Sequence, residues 1–296
     1  MAYPCFTNIY RKASYPAIDP SRPELSVKDK TVIVTGAGEG SIGASVVMAF
    51  AKSGASKIAL IGRTVDTLQK TKDAVDQAYP ETTAFVVVAD ISKTESIGIA
   101  AHHIRATLGA WDIFAHCAGF LPELTTMTGA DEDDWWKAFE VNTKFSHHFA
   151  KHFLPKSRPN ATYISTNAAT CHVPAALAPK NSAYAASKIA MVKLDEYLAE
   201  ENPTLRVFTV HPGIIMSNMS KKFLGNDKEA AAGGVYDDPE LPANFMVWLA
   251  SPEADFLRSG RFLWANWDVP ELIARKAEIE ANPALFRINI GGWPFQ

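Results

Sequence analysis

The chain has 296 residues, of which 47% are hydrophobic and 21% charged, so it is too apolar for a disordered protein and long enough to bury a large core. Its net charge of −3, without a run of five like charges, argues against a nucleic acid or an acidic membrane as the partner. Three cysteines without C-x-x-C spacing predict neither a disulfide framework nor a zinc site. These features favour a cytoplasmic protein whose partner is a small molecule.

The first 26 residues lack the basic flank and apolar run of a signal peptide. No apolar run elsewhere reaches the roughly 18 residues of a membrane span, so no membrane partner is expected. Pro16, Pro20 and Pro23 disfavour a helix. We therefore expect residues 1–26 to form an extended arm on a single domain that comprises residues 27–296.

From residue 31, short apolar runs alternate with longer amphipathic segments. This pattern predicts a single-domain α/β fold, a doubly wound Rossmann-type parallel sheet of about seven strands flanked by helices. The predicted strands are residues 31–35, 57–61, 84–89, 111–115, 161–166, 205–210 and 261–264. Ser92 and Glu95 have the spacing of a capping box for the third helix. Pro155 and Pro203 follow predicted helix ends, because proline cannot continue a helix.

The first strand runs directly into a glycine-rich turn that precedes a helix. Glycines let the backbone approach a pyrophosphate, and the free amides of the helix N-terminus stabilise its charge. A strand before the turn and a helix after it are the context that this motif requires. The turn therefore predicts dinucleotide binding, with candidate contacts Gly36, Gly38, Gly40, Ser41, Ile42 and Gly43.

Residues after the second and third strands bear on the identity of the cofactor. Arg63 lies where an acid would favour NAD(H), and its charge suits the 2′-phosphate of NADP(H). Glu39 in the glycine-rich turn would repel that phosphate. The two signals conflict; we favour NADP(H) and retain NAD(H) as the alternative. Asp90, which precedes Ile91, can accept a hydrogen bond from the adenine amino group.

The later strand ends add further polar groups. Because the carboxyl ends of parallel strands share one edge of the sheet, these groups should line a single ligand crevice. The turn after the sixth strand can present backbone amides and a hydroxyl to a cofactor amide. The residues concerned are Cys117, Ala118 and Gly119, then Ser165 and Thr166, then Pro212, Gly213, Ile215 and Ser217.

Tyr184 and Lys188 form an i, i+4 pair on a predicted helix. This spacing puts the ammonium about 5–6 Å from the phenol, where it favours the phenolate. A phenol with a lowered pKa can serve as an acid or base near neutral pH.

Taken in order, these motifs resemble the short-chain dehydrogenase/reductase family over residues 27–265. The match includes a variant of Asn-Ala-Gly at 117–119, Asn142, a hydroxyl at 165 or 166, and Tyr184-x-x-x-Lys188. Residues 15–20 and 264–269 are similar to segments of uncharacterised fungal members. The resemblance implies hydride transfer between NADP(H) or NAD(H) and a small carbonyl compound or alcohol.

The resemblance also implies a role for each site residue. Tyr184 would be the acid/base, and Lys188 would lower its pKa and hold the nicotinamide ribose. A hydroxyl of Thr166 or Ser165 would polarise the carbonyl, and the alignment favours Thr166. The Asn142 main chain would hold a proton-relay water. Residues 215 and 217 would hold the cofactor carboxamide.

Three features depart from the family pattern. The glycine-rich turn is one residue longer, so the diphosphate contact could be Gly38 or Gly40. Cys117 replaces an asparagine, which removes a structural hydrogen bond. About five extra residues separate Thr166 from Tyr184, and we expect this apolar insert at 172–179 to floor the substrate pocket.

The resulting prediction is an NADP(H)-dependent enzyme that reduces ketones to secondary alcohols, or catalyses the reverse oxidation, of a kind used in secondary metabolism. The alternatives are an NAD-linked alcohol dehydrogenase, a redox-silent nucleotide-binding scaffold, and an isomerase or dehydratase on the same fold. His148 and His152 lack a third ligand at motif spacing, so no metal is expected.

The family resemblance implies a homodimer or homotetramer that packs through the helices carrying Asn142 and Tyr184. The apolar residues expected on these faces are Phe145, Phe149, Ala186, Ile189 and Val192.

Overall fold

One parallel sheet organises the protein, whose computed structural model describes residues 5–224 and 235–289. Its strands are β1 (Thr31–Thr35), β2 (Lys57–Gly62), β3 (Thr83–Val88), β4 (Trp111–His116), β5 (Ser157–Thr166), β6 (Arg206–His211) and β7 (Arg261–Trp264). The order is β3-β2-β1-β4-β5-β6-β7, and every neighbouring pair is parallel. The predicted α/β fold is confirmed, and the strand order reverses between β1 and β4, where ligands of such sheets bind.

Helices cover both faces of the sheet. They are α1 (Ile42–Lys52), α2 (Val65–Ala78), α3 (Thr94–Leu108), α4, α5 (Ser182–Glu201), α6 (Asn218–Leu224), α7 (Glu240–Ala250), α8 (Val269–Ala274) and α9 (Lys276–Ala281). Helix α4 begins as Glu132–Ala138 and continues through Phe139–Thr143, Lys144–His148 and Phe149–Phe153, of which the first and third are π-helical. None of the helices in the described ranges combines the length and apolar character needed to cross a membrane.

The alternation of side chains along β1 explains why the sheet is covered twice. Val32 and Val34 pack in one buried cluster with α1, α7 and the N-terminal arm. Ile33 packs in a second cluster with α3, α4 and α5. Successive side chains of a strand point to opposite faces, so β1, which is buried at every position, must be covered on both sides.

The start of β5 differs from the sequence prediction, which began this strand at residue 161. The strand begins at Ser157, and its first four residues are partly or fully exposed. Its register with β4 also shifts between Trp111 and Ile113. Because these residues are not buried, they carry none of the apolar pattern from which the other strands were predicted.

The predicted capping box at the start of α3 is wrong. The helix begins at Thr94, with Lys93 as an N-cap residue that makes no side-chain hydrogen bond. The Ser92 hydroxyl instead donates to the Asp90 carboxylate at 2.8 Å. The Ser92 hydroxyl therefore binds Asp90 and not the free amides at the start of α3. The predicted helix ends before Pro155 and Pro203 are confirmed.

The N-terminal arm, described over residues 5–26, contains two short 3₁₀ turns, Pro16–Ile18 and Pro23–Leu25. Each turn begins with a proline, whose fixed φ suits the first position of a helical turn. Three salt bridges within the described ranges attach the arm to the C-terminal part of the chain: Arg11 with Asp268 and Arg22 with Glu253, both at 2.6 Å, and Lys12 with Asp237 at 4.0 Å.

The apolar faces of α4 and α5 only partly match the surface predicted for a partner subunit. Phe145 and Phe149 are fully buried inside the protomer, and Val192 is 1% exposed, so these three side chains cannot contact a second copy. The prediction was wrong for them because the sheet already covers that side of the helices. Ile189 is 38% exposed and Tyr197 60% exposed, so α5 does carry an outward apolar stripe.

Candidate active site

The glycine-rich turn is shaped by close contacts between backbones. Gly36 has φ +67°, and a Cβ there would lie 2.8 Å from the Ala118 backbone. A Cβ on Gly43 would lie 2.3 Å from the Gly36 carbonyl oxygen. Ser41 caps helix α1, with its hydroxyl accepting from the Ala44 amide at 3.1 Å. A side chain at Gly36 would therefore push apart the ends of β1 and β4, and one at Gly43 would push α1 away from the turn.

The two middle glycines of the turn have different surroundings. A Cβ on Gly38 would lie 2.7 Å from the Thr67 hydroxyl of α2, so this residue packs against that helix. Gly40 has φ +73° and nothing within 4 Å of the corresponding position. Gly40 thus faces open space at the N-terminus of α1, where free amides favour an anion.

The turns after β1 and β4 are joined even though Cys117 stands where the family has asparagine. The Cys117 amide donates to the Thr35 carbonyl, and the Ala118 amide donates to the Thr35 hydroxyl, both at 3.2 Å. That hydroxyl also lies 2.7 Å from Nδ1 of the buried His116. Burial raises the pKa of the Cys117 thiol to about 11, so it remains protonated near neutral pH.

Charged side chains surround the ends of β2 and β3. Arg63 is exposed, and its guanidinium makes no hydrogen bond or ion pair within the described ranges. Burial opposes ionisation of Asp90, but hydrogen bonds from Ser92 and the charges of Arg63 and Lys93 outweigh it and lower the pKa of this carboxyl group. Arg63 and Asp90 are therefore neighbours at this edge of the sheet.

Glu39 is paired with a cation from α2. Its carboxylate accepts a hydrogen bond from the Lys70 ammonium at 2.9 Å, and both side chains are exposed. The pair reduces the repulsion that Glu39 alone would exert on a phosphate.

The backbone after Asp90 is held by a histidine of α4. The Ile91 carbonyl oxygen lies 3.2 Å from Nδ1 of His148, whose Nε2 is 3.2 Å from the Thr94 hydroxyl. Both ring nitrogens of His148 are thus engaged in hydrogen bonds. Among the described residues, no three histidine, cysteine or acidic side chains are grouped to hold a metal ion.

Tyr184 and Lys188 lie one turn apart on α5, with the Lys188 Nζ 5.8 Å from the centre of the phenol ring. The ammonium donates to the Thr166 carbonyl oxygen at 2.9 Å. No group in the described part of the chain hydrogen-bonds the Tyr184 hydroxyl. A Cβ on Gly119 would lie 3.4 Å from the Asn142 Oδ1 and 3.6 Å from the Lys188 Nζ, so these residues converge at one point.

The expected lowering of the Tyr184 pKa is not found in this structure. Burial, together with the nearby Cys171, raises the pKa of the Tyr184 phenol above its usual range. Burial also lowers the pKa of Lys188 to about 8, against the opposing charge of Asp195. The sequence argument considered only the attraction between the two groups, whereas both lose water here, and desolvation favours their neutral forms.

Ser165 and Thr166 point into different surroundings. The Ser165 hydroxyl is fully buried and donates to the Asp195 carboxylate at 2.5 Å, while the Thr209 hydroxyl donates to the same oxygen at 3.0 Å. The Thr166 hydroxyl is also buried, lies beside the Cys117 thiol and makes no hydrogen bond of ordinary geometry to any group in the described ranges. Since adjacent side chains of a strand alternate, only one hydroxyl can face the crevice.

Asn142 lies in the π-helical part of α4 and is fully buried. Both the oxygen and the nitrogen of its side-chain amide make hydrogen bonds. Oδ1 accepts from the Phe120 amide at 2.8 Å, and Nδ2 donates to the Phe120 carbonyl at 2.9 Å and to the Ser187 hydroxyl at 3.0 Å. The side chain therefore ties the loop after β4 to α5, and π-type turns of this kind occur frequently at functional sites.

The turn at 212–217 has a strained centre that is held by a distant acid. Gly213 has φ +85°, and a Cβ there would lie 2.4 Å from the Asp237 carboxylate. That carboxylate accepts from the Ile214 amide at 2.9 Å. Pro212 and Ile215 are buried. The Ser217 hydroxyl accepts from the Ser220 amide at 3.1 Å and so stabilises the start of α6.

The insert before α5 does not pack beneath a pocket as expected. Its apolar side chains are mostly exposed, including Leu177 at 45%, because the extra residues form surface turns. A cavity of about 240 Å³ lies instead beside the N-terminus of α5. Its lining includes Asp134, Trp135, Asn181, Ser182 and Ala183.

Two buried acids of the site were missed in the sequence. Asp195 lies seven residues after Lys188, so both share one face of α5, and the helical period could have indicated this. Burial raises its pKa to about 7, opposed by the hydroxyls of Ser165 and Thr209. Asp237 gave no such signal, since only the tertiary fold brings it to Gly213.

The sequence and the geometry agree with a known family. The family model described as short chain dehydrogenase matches residues 30–228. A short chain dehydrogenase/reductase of Claviceps purpurea (strain 20.1) is 30% identical over 96% of this chain and 94% of its own length. The chain therefore belongs to the short-chain dehydrogenase family and is an NAD(P)-dependent oxidoreductase.

A further relative supports the same assignment, and two solved structures share the fold. The short chain dehydrogenase pigC of Monascus ruber is 32% identical over 92% of this chain and 90% of its own length. An L-sorbose reductase from Gluconobacter frateurii, solved with NADPH and L-sorbose, has a TM-score of 0.72 at 22% identity and covers 81% of this chain and 96% of its own. A short chain dehydrogenase from Shigella flexneri also has a TM-score of 0.72, at 22% identity over 82% of this chain and 93% of its own. These structures share the fold.

Proposed function

We propose that this protein reduces a ketone to a secondary alcohol with NADPH, or catalyses the reverse oxidation. The observation that carries the proposal is a pair of hydroxyls on residues that Lys188 contacts: the Tyr184 hydroxyl has no hydrogen-bond partner in the described chain, and the Thr166 hydroxyl has only the Cys117 thiol beside it. The Thr166 hydroxyl is buried, and a buried hydroxyl without a good partner is costly. A substrate carbonyl oxygen would accept from both groups and remove this cost.

The glycine-rich turn and the 212–217 turn fit a dinucleotide. Gly40 leaves open space at the N-terminus of α1, where a diphosphate would accept from free amides. Gly36 and Gly43 allow the close backbone packing that forms this cradle. Asp90 would accept from the adenine amino group, while Ile215 and Ser217 would contact the carboxamide.

NADP(H) is favoured over NAD(H) by the free guanidinium of Arg63. The side chain is exposed beside Asp90 and is not committed to an ion pair in the described ranges. Glu39, the group expected to oppose a 2′-phosphate, is paired with Lys70. The L-sorbose reductase with the same fold was solved with NADPH.

Each catalytic residue has a separate task in the reduction. NADPH, when bound, supplies the hydride to the carbonyl carbon. Thr166 would donate a hydrogen bond to the developing oxyanion, and Tyr184 would give it a proton. The raised pKa of Tyr184 keeps that proton on the phenol until the oxygen becomes basic. Lys188 would contact the nicotinamide ribose, and the Asn142 main chain would hold a water that returns the proton.

We further propose a cytoplasmic homo-oligomer, a homodimer or homotetramer, that acts on small molecules. The outward stripe of α5 with Ile189 and Tyr197 supports a self-interface, since exposed apolar side chains on one face of a helix mark association.

The direct test measures cofactor binding and then turnover. Affinities for NADPH and NADH are determined by titration, and a panel of ketones is assayed by NADPH fluorescence with identification of the alcohol. We expect tighter binding of NADPH and consumption of NADPH with at least one ketone. Tight cofactor binding without turnover on any carbonyl would overturn the proposal in favour of a redox-silent scaffold.

A further inference from the structure

The 212–217 turn is held by a carboxylate from another part of the chain. Asp237 is 5% exposed, and its Oδ2 accepts from the Ile214 amide at 2.9 Å. The Asp237 amide in turn donates to the Ile214 carbonyl at 2.8 Å. The two residues thus form a reciprocal pair that fixes the centre of the turn.

The same carboxylate oxygen is bound by an asparagine that also reaches the N-terminal arm. Asn266 is fully buried, and its Nδ2 donates to the Asp237 Oδ2 at 3.1 Å and to the Arg11 carbonyl at 2.8 Å. Both protons of this amide group are therefore used. The Arg11 main-chain amide completes the link by donating to the Asn266 main-chain carbonyl at 2.8 Å.

Two further contacts of residues 11 and 12 hold the arm close to this link. The Arg11 guanidinium donates to the Asp268 carboxylate at 2.6 and 2.8 Å, and Asp268 also caps α8. One residue further, the Lys12 carbonyl accepts from the Asp238 amide at 2.7 Å. Residues 11 and 12 are thereby held against both segments that border the turn.

We propose that the N-terminal arm is a positioning element of the cofactor site, which acts through Asn266 and Asp237 on the turn that receives the nicotinamide carboxamide. This inference rests on the proposed function, because only a dinucleotide cofactor gives the turn that role. We assign Asn266 and Asp237 no contact with substrate or cofactor; they would act through the orientation of the Ile214 and Ile215 backbone.

The contacts separate this role from a general stabilising one. The arm is also anchored by Arg22, which binds Glu253 at 2.6 Å and the Ala17 carbonyl at 2.5 Å. Neither contact reaches the 212–217 turn. Arg22→Ala is therefore a matched control that loosens the arm without touching the hydrogen bonds to Asp237.

The test compares two ligands that share the adenosine half of the cofactor. NADPH contacts the whole site, whereas 2′,5′-ADP lacks the nicotinamide and should not depend on the 212–217 turn. Asn266→Asp keeps the size of the side chain but replaces the NH2 group that donates both hydrogen bonds with an oxygen atom that can only accept them. We expect NADPH affinity to fall on the order of tenfold, with 2′,5′-ADP binding within about twofold of wild type. Arg22→Ala should change neither affinity.

Equal loss of both ligands in Asn266→Asp, or no loss in the folded variant, would overturn the proposal. So would an equal effect of Arg22→Ala. If Asn266→Asp does not fold, Arg11→Ala, which keeps the buried asparagine, is used instead. It should also lower the affinity for NADPH and not that for 2′,5′-ADP, but by a smaller factor. If wild type prefers NADH, the comparison uses NADH and ADP with the same expectations. A wild-type protein that binds no dinucleotide would refute the proposed function itself, which distinguishes the two failures.

Discussion

Replacing the two neighbouring hydroxyls at the end of β5 should separate catalysis from stability. Thr166→Val removes, at nearly constant volume, a buried hydroxyl that makes no hydrogen bond of ordinary geometry in the described ranges, so little stability should be lost. Ser165→Ala removes the donor that lies 2.5 Å from the buried Asp195 carboxylate. Thr166→Val should therefore lose activity but not stability, whereas Ser165→Ala should lose stability but little activity.

The magnitudes follow from these contacts. Loss of a single donor to a developing oxyanion lowers kcat by about 10²–10³, so Thr166→Val should lose that much activity. Its free energy of unfolding should be unchanged or about 1 kcal/mol higher, because an unpaired buried hydroxyl is removed. Above pH 7, where Asp195 is ionised, Ser165→Ala should lose about 1.5–3 kcal/mol of stability, the usual range for a hydrogen bond to a charged group. Its kcat should stay within about tenfold of wild type.

The assay is steady-state NADPH consumption with an active ketone, combined with urea unfolding of each variant. Thr166→Ser is the control, since it restores the hydroxyl and should recover most of the activity. A large loss of kcat in Ser165→Ala, with Thr166→Val near normal, would refute the assignment of the hydroxyls.

Three further predictions concern the cofactor, the buried acid and the surface. Arg63→Ala should weaken NADPH binding about tenfold and leave NADH unchanged, as measured by titration; Lys70→Ala, which frees Glu39, should weaken NADPH less. Burial raises the pKa of Asp195 to about 7, above its unfolded value near 4. Ionisation of Asp195 therefore costs stability increasingly as pH rises from about 4 to 7. Asp195→Asn should gain stability relative to wild type over this window, and a difference independent of pH in urea unfolding would contradict this. Ile189→Asp should shift a homo-oligomer towards monomer in light scattering, and an unchanged mass would exclude this face.

The sheet could be predicted because its signal is local. The strands around Ile33 are buried on both faces, so their apolar runs stand out from the amphipathic helices between them. The beginning of β5 was missed because its exposed residues pair with β4 without an apolar pattern. The capping box failed because a nearby aspartate competes for the Ser92 hydroxyl, which spacing alone does not reveal.

The site could be predicted only where a motif lies within one segment. Tyr184 and Lys188 are neighbours on a helix, so their contact follows from the helical period. The direction of the Tyr184 pKa depends on how many atoms surround the phenol, and only the packed structure supplies this. The link from Arg11 through Asn266 to Asp237 joins three distant segments, so no spacing in the sequence indicates it.

The most direct test of a tyrosine-based reductase is the turnover number of Tyr184→Phe with NADPH and an active ketone, compared with wild type. The variant keeps the ring and removes only the proton that Tyr184 would donate. We predict that kcat falls by about 10²–10⁴, the range that general acid catalysis contributes, while NADPH affinity is unchanged. A Tyr184→Phe protein that keeps wild-type turnover would contradict the central claim.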